Sequence, residues 1–224
     1  MVDDDTITDR RGSADGRPAA VEQAAPVVRA RGIGARSRRG WVFRDVELDI
    51  HAGELIALTG PAGSGRTSLL LALAGRFVIN HGAIERTQRA ALGYVPGVSE
   101  PEPGLTVAEH VEERLLLLGR ARWRRRWRRQ LVAAALTSYP GDPDRLVRTL
   151  DTYHLHLLGL VLARVERPGL IVVDDADADL SATERAELWA RLRALSRDGT
   201  AVVAACREID PGVPDRVVTL ESHR

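Results

Sequence analysis

Lysine is absent from this chain: all 32 of its non-histidine basic residues are arginine, set against 31 Asp and Glu for a net charge of +1. We read the bias as compositional, of the kind a GC-rich genome imposes, but it matters wherever lysine is the usual ligand. Cysteine is nearly absent too. The lone Cys206 excludes a disulfide framework and a cysteine-rich metal site, and it fits a reducing compartment. The balanced charge gives no whole-molecule field for nucleic acid or acidic substrates, so basic character must be local. Long apolar runs are also missing. Runs such as Leu69 to Ala74 and Leu115 to Leu118 fall far short of the roughly 20 residues that cross a bilayer. Met1-Val2-Asp3-Asp4-Asp5 is acidic where an export signal is basic, and no apolar segment follows it, so neither export nor membrane crossing is expected.

What is present suits one compact domain. The 224 residues, 44% of them hydrophobic, bury one sizeable core and are too few for two ordinary domains. Residues 1–26 are rich in Asp, Arg, Gly, Ala and Pro without apolar periodicity and read as a disordered tail before a domain over 27–224. Val42, Phe43, Val46, Leu48 and Ile50 alternate like a half-buried strand, and Leu55-Ile56-Ala57-Leu58 reads as a buried parallel one. The chain then runs through Gly60-Pro61-Ala62-Gly63-Ser64-Gly65-Arg66-Thr67 into an apolar helix from Ser68 to Ala74. A β-rich stretch ends at Leu92-Gly93-Tyr94-Val95-Pro96. Thr106 with Glu109 has capping-box spacing for a helix to Leu118, and residues from about 98 to 157 read as mostly helical. Leu170 to Val173 is a buried strand ending in Asp174-Asp175, followed by a helix from about Ala182 to Ser196 and a strand from Ala201 to Ala205. This alternation predicts an α/β fold with a parallel sheet and a helical insertion.

Strand, glycine loop and helix are the setting of a phosphate loop. Small residues let consecutive backbone N–H groups curl around phosphate oxygens at a helix N-terminus, a basic side chain reaches the terminal phosphates, and a hydroxyl holds Mg²⁺. Gly60, Gly65 and Thr67 fit that pattern, with Arg66 in the lysine position. Together with Gly53-Glu54, Tyr94-Val95-Pro96, Leu105-Thr106-Val107-Ala108-Glu109, Leu170 to Asp175 and Gly199 to Arg207, in that order, the chain from Val27 to Leu220 resembles the ATP-binding cassette family. The resemblance implies a P-loop NTPase fold with a parallel-sheet core, an antiparallel β-subdomain and a helical subdomain at about 98–157. It further implies a nucleotide-binding subunit that takes ATP and Mg²⁺ and pairs, as homodimer or heterodimer, with a second cassette. Such a subunit drives a separate integral membrane protein from the cytoplasmic, inner face of the membrane. Its ATP contacts fall on Gly60, Ala62, Gly63, Ser64, Gly65, Arg66, Thr67 and Ser68, and its metal ligands on Thr67 and Asp174.

Several positions depart from the family. Arg66 keeps the lysine's charge, but a planar guanidinium is not interchangeable with a compact ammonium. Asp175 stands where a glutamate polarises the attacking water, one methylene short of it. Gly97 replaces a glutamine that contacts Mg²⁺ and the helical lobe. Leu150-Asp151-Thr152-Tyr153-His154 replaces the Leu-Ser-Gly-Gly-Gln signature, and the anionic Asp151 with the bulky Tyr153 should cradle a partner's γ-phosphate poorly. Arg207 takes the place of the switch histidine and does not titrate near neutrality. Ala178-Asp179-Leu180-Ser181 departs from the usual segment linking the dimer halves. Ser37 stands where an adenine-stacking aromatic belongs, with Trp41 the nearest candidate. Losing one preorganised transition-state contact costs ~10² to 10³ in rate, though such losses are not additive, so weak or partner-dependent hydrolysis is expected. The alternative is a pseudo-ATPase that docks without turnover.

Two other signals stand out. Arg120 to Arg129 holds seven arginines with Trp123 and Trp127. The segment reads as a basic helix whose tryptophans pack inward, or as a contact for anionic lipid or a membrane partner. Nucleic acid is not expected, given the balanced charge and the absence of a nucleic-acid motif. His154 and His156 read as packing residues rather than metal ligands, and the aspartates from Asp175 to Asp179 as a solvated loop.

Overall fold

In the computed structural model residues 25–120, 125–209 and 212–222 are described. The expected tail therefore lies almost wholly outside the described residues. Five strands, β3 (Leu55–Thr59), β5 (Ala90–Leu92), β6 (Leu170–Val173), β7 (Ala201–Ala205) and β8 (Arg216–Thr219), form a parallel sheet in the order β5-β6-β7-β3-β8. Every residue of β3, β6 and β7 is buried, as continuous apolar strands require when both faces are covered. Successive side chains go to opposite cores. Leu55 and Ala57 join one core with Ile171, Val173 and Val202, while Ile56 and Leu58 join another with Leu170, Val172 and Val203.

The second core lies beneath helix α1 (Arg66–Leu73) and an antiparallel sheet of β1 (Val28–Ser37), β2 (Gly40–Ile50) and β4 (His81–Arg86), ordered β2-β1-β4. Simple alternation does not describe β2. Phe43 is buried and then Val46, Leu48 and Ile50 are, a change of parity that needs an extra residue. Asp45, at φ 53°, supplies it in a strand whose register with β1 slips.

Helices α2 (Val107–Leu117), α4 (Thr152–Val165) and α5 (Ala182–Arg197) cover the other face. The capping box of Thr106 and Glu109 is formed, and Ser181 with Glu184 makes a second one on α5. The helical reading of about 98–157 needs correction: residues 98–106 and 137–151 are loop apart from one 3₁₀ turn at Val147–Thr149, and α4 continues to Val165. Helix α3 (Arg125–Leu136) packs Leu131, Val132, Ala135 and Leu136 against the core. Trp127 is not on that stripe and is 63% exposed, which corrects the inward-packing expectation for it; Trp123 lies outside the described residues. No helix among the described residues is long and apolar enough to cross a membrane.

His156 on α4 is fully buried, its ring edge-on to Tyr94 at 5.1 Å, with no hydrogen-bond partner for either ring nitrogen. Burial pushes its pKa down from 6.5 to about 4, against a weaker opposing pull from the Asp175 backbone. The unfolded chain therefore takes up a proton below pH 6.5 that the folded chain refuses until about pH 4. Stability from this group is full above pH 6.5 and falls between those two values. A His156→Phe variant should avoid a loss of about 3 kcal/mol across that window, seen as a flatter dependence of unfolding free energy on pH.

Candidate nucleotide site

The loop between β3 and α1 is held by close backbone approaches that only glycine permits. Gly65, the N-cap of α1, has φ 89°, and a Cβ there would lie 2.3 Å from the Val42 carbonyl oxygen. No side chain caps α1 and no acidic residue occupies its first turn. Its first backbone N–H groups and the positive end of its dipole thus face an open cavity of about 280 Å³ bounded by Val42, Pro61 and Gly63 to Ser68. Such an end suits an anion.

Arg66 is folded back in this structure, its Nη1 donating to the carbonyls of Gly60 and Pro61. Ser64 is buried and its Oγ has no hydrogen-bond partner. Thr67 Oγ1 donates to Asp174 Oδ2 at 2.5 Å, and the other carboxylate oxygen accepts the Asp175 N–H at 3.0 Å. Asp174 is 3% exposed. Burial raises its pKa, and the Asp175 charge raises it further, against the Thr67 hydrogen bond and the Arg66 charge. The residue singled out as a metal ligand is thus a buried carboxylate that gains from a cation.

The remaining predicted positions are not all gathered here. Asp175 follows Asp174 in the left-handed region at φ 47° and opens a turn in which its carbonyl accepts the Ala178 N–H. Trp41 stands beside the cavity wall on β2, but its ring lies against His81 at 4.7 Å and under the Arg36 guanidinium at 5.5 Å. Adjacent strand residues point to opposite faces, and the one that lines the cavity is Val42. Ser37 closes the β1–β2 turn through Oγ and the Gly40 carbonyl. Gly97 sits at φ 73° with its N–H donated to Glu100 Oε1 at 2.7 Å and open space around it.

The aspartate run is more than a solvated loop. Asp177 Oδ2 accepts the backbone N–H of Arg207 at 2.9 Å and of Glu208 at 3.3 Å, tying the turn after β6 to the end of β7. The Ala176 N–H to Ala205 carbonyl bond at 2.9 Å reinforces the tie. Sequence reading missed this role, since nothing in the spacing of Asp177 and Arg207 marks it. The Arg207 side chain is exposed and makes no ion pair among the described residues. Cys206 beside it is buried, and burial with the nearby Asp177 charge pushes its thiol up to about 12, which leaves it unreactive.

At the N-terminus of α4, Asp151 is the cap. Its carboxylate accepts the His154 N–H at 2.9 Å and contacts His154 Nδ1 at 2.6 Å. Partial burial pushes its pKa up, but the amide and ring of His154 and the Arg145 charge outweigh that, and it lies below the usual carboxylate range. Tyr153 does not obstruct this helix end: it is 6% exposed and donates to Glu187 Oε2 at 2.7 Å between α4 and α5. Of the two residues, it is Asp151 that places its side chain at the helix end. His154 and His156 join no cluster of metal-ligating residues among the described residues.

Because Gly65 meets a backbone carbonyl, Gly65→Ala combines left-handed strain with overpacking and should cost about 2–4 kcal/mol. Chemical denaturation of the variant checks this.

Comparison with known proteins fits this geometry. Residues 43–178 match the family described as ABC transporter. The zinc import ATP-binding protein ZnuC of Ruegeria pomeroyi is 28% identical over 204 residues, spanning 88% of this chain and 76% of that protein. The hemin import ATP-binding protein HmuV of Rhodopseudomonas palustris is 30% identical over 198 residues, spanning 80% and 73%. Among solved structures, the dimeric post-hydrolysis state of the ATP-binding cassette MJ0796 bound to ADP and Pi overlays with a TM-score of 0.73 at 19% identity, covering 88% of this chain and 97% of that one. With parallel sheet, antiparallel sheet and helices arranged as that cassette has them, this chain belongs to the ABC transporter family.

Proposed function

We propose that this chain is the ATP-binding subunit of a membrane import complex, taking ATP with Mg²⁺ on Gly60 to Ser68 and acting on a separate integral membrane protein at the inner face of the membrane. The carrying observation is the Thr67–Asp174 pair at the mouth of a helix end left open for an anion. The names of the zinc and hemin import relatives support import as the direction. Two hard oxygen donors, one of them a buried carboxylate with a raised pKa, fit Mg²⁺, which takes one or two protein oxygens and completes its shell with phosphate and water. When bound, it would neutralise charge on the terminal phosphates. Arg66 would turn from the Gly60 and Pro61 carbonyls to phosphate oxygens, and the first N–H groups of α1 would hold the rest.

Hydrolysis by this chain alone is weak or depends on a partner cassette. Asp175 stands at the position from which the family's glutamate serves the attacking water and is shorter than it, while Gly97 offers no side chain. Arg207 supplies charge in place of a titrating ring. Asp151 favours the second reading, a docking module without turnover, because a carboxylate already fills the α4 end that would face a partner's γ-phosphate. In a heterodimer with a cassette whose signature is open, Asp151 would spoil only one of the two composite sites.

A thermal-shift titration with ATP and Mg²⁺ tests the binding. Saturation at a hundredfold over Kd adds about 2.7 kcal/mol to the folded state, and Arg66→Ala should lose most of the shift. No shift in either protein would overturn ATP binding by the isolated chain. Asp151→Ser keeps the cap, so stability should change by less than about 1 kcal/mol. ATP-dependent dimer formation, read by light scattering, should rise with the charge gone; if the substitution leaves it unchanged, Asp151 is not the obstacle.

A further inference from the structure

From Arg114 to Gly141 the sequence holds eight arginines and no aspartate or glutamate. This segment thus carries +8 and the rest of the chain −7, behind a whole-chain charge of +1. Its described residues include the end of α2 and all of α3. Leu131, Val132, Ala135 and Leu136 turn to the core, so the opposite side of α3 faces solvent. Among the described residues, Arg114 is engaged with Glu166, Arg120 with the Val165 carbonyl, and Arg128 with Glu112 at 3.1 Å. Arg126 and Arg129 are exposed and make no ion pair among the described residues. Beside them Trp127 is 63% exposed, and at the end of α2 Leu117 is 76% exposed.

Exposed cations with an indole and an aliphatic side chain form an interfacial surface. The cations answer anionic headgroups, the indole sits at headgroup level, and the leucine enters the acyl boundary. Nucleic acid would engage the arginines but gives Leu117 neither stacking nor a hydrogen bond. We propose that the solvent face of α3, with the end of α2, binds an anionic lipid surface. The contact lies outside the phosphate loop and does not depend on ATP binding.

Sedimentation of the full chain with vesicles tests this. The protein should pellet with vesicles containing phosphatidylglycerol, should stay in solution with pure phosphatidylcholine, and should be released as salt rises. Replacing both Arg126 and Arg129 by glutamine should weaken binding roughly 30-fold, at about 1 kcal/mol for each arginine near the surface. Trp127→Ser should weaken it further while leaving the salt dependence alone. All three residues are exposed, and the ATP-induced thermal shift of the same samples reports folding and the nucleotide site separately. Failure to pellet with phosphatidylglycerol, equal pelleting with the neutral lipid, or unchanged binding by the double variant would overturn the proposal. Tighter binding to a short DNA duplex at the same salt would replace it with a nucleic-acid surface.

Discussion

The hydrogen bond from Thr67 to Asp174 joins two parts of the chain that the sheet keeps apart. Strand β3, which leads into the phosphate loop, and strand β6, which ends in Asp174, are separated by β7. At the carboxyl end of the sheet the bond bridges over β7 and fixes the start of α1 against the end of β6. A buried carboxylate is costly unless its oxygens find donors, and here each has one, from Thr67 and from the Asp175 backbone. The crevice beyond the carboxyl ends of an open α/β sheet is where ligands bind. This bond gives the loop and the Asp174 carboxylate a shared frame there.

The turn after Asp174 extends that frame to β7. Asp177 and Ala176 attach it to the backbone at Arg207 and Ala205, and His156 packs under the same region between Tyr94 and the Asp175 backbone. Movement of the turn would disturb both β6 and β7. The turn that carries Asp175 is therefore tied into both strands.

Much of this was legible in the sequence because it rests on local chemistry. The buried runs at Leu55 and Leu170, the phosphate-loop glycines, and the Thr106–Glu109 box all act within a few residues. The β2 bulge at Asp45 escaped because a parity switch depends on pairing with β1, which no short window contains. Strands β1 and β8 were not singled out: β8 alternates half-buried and exposed residues and is defined by its pairing with β3. The tie through Asp177 spans thirty residues. Trp127 follows a helical period to Leu131, yet the angular position of α3 on its neighbours leaves it in solvent.

Two helix ends use the same physics in opposite ways. Both α1 and α4 present unsatisfied N–H groups and a partial positive charge at their N-termini. At α1 the cap is glycine, with no side-chain acceptor and no acid in the first turn, so the donors stay open to an anion from outside. At α4 the chain supplies its own anion, and a cap of this type stabilises a helix by about 1 kcal/mol. That stabilisation opposes any external phosphate, which would have to displace Asp151 and then sit beside its charge. The same local gain in stability that closes the end of α4 has no counterpart at α1, where glycine leaves the donors open.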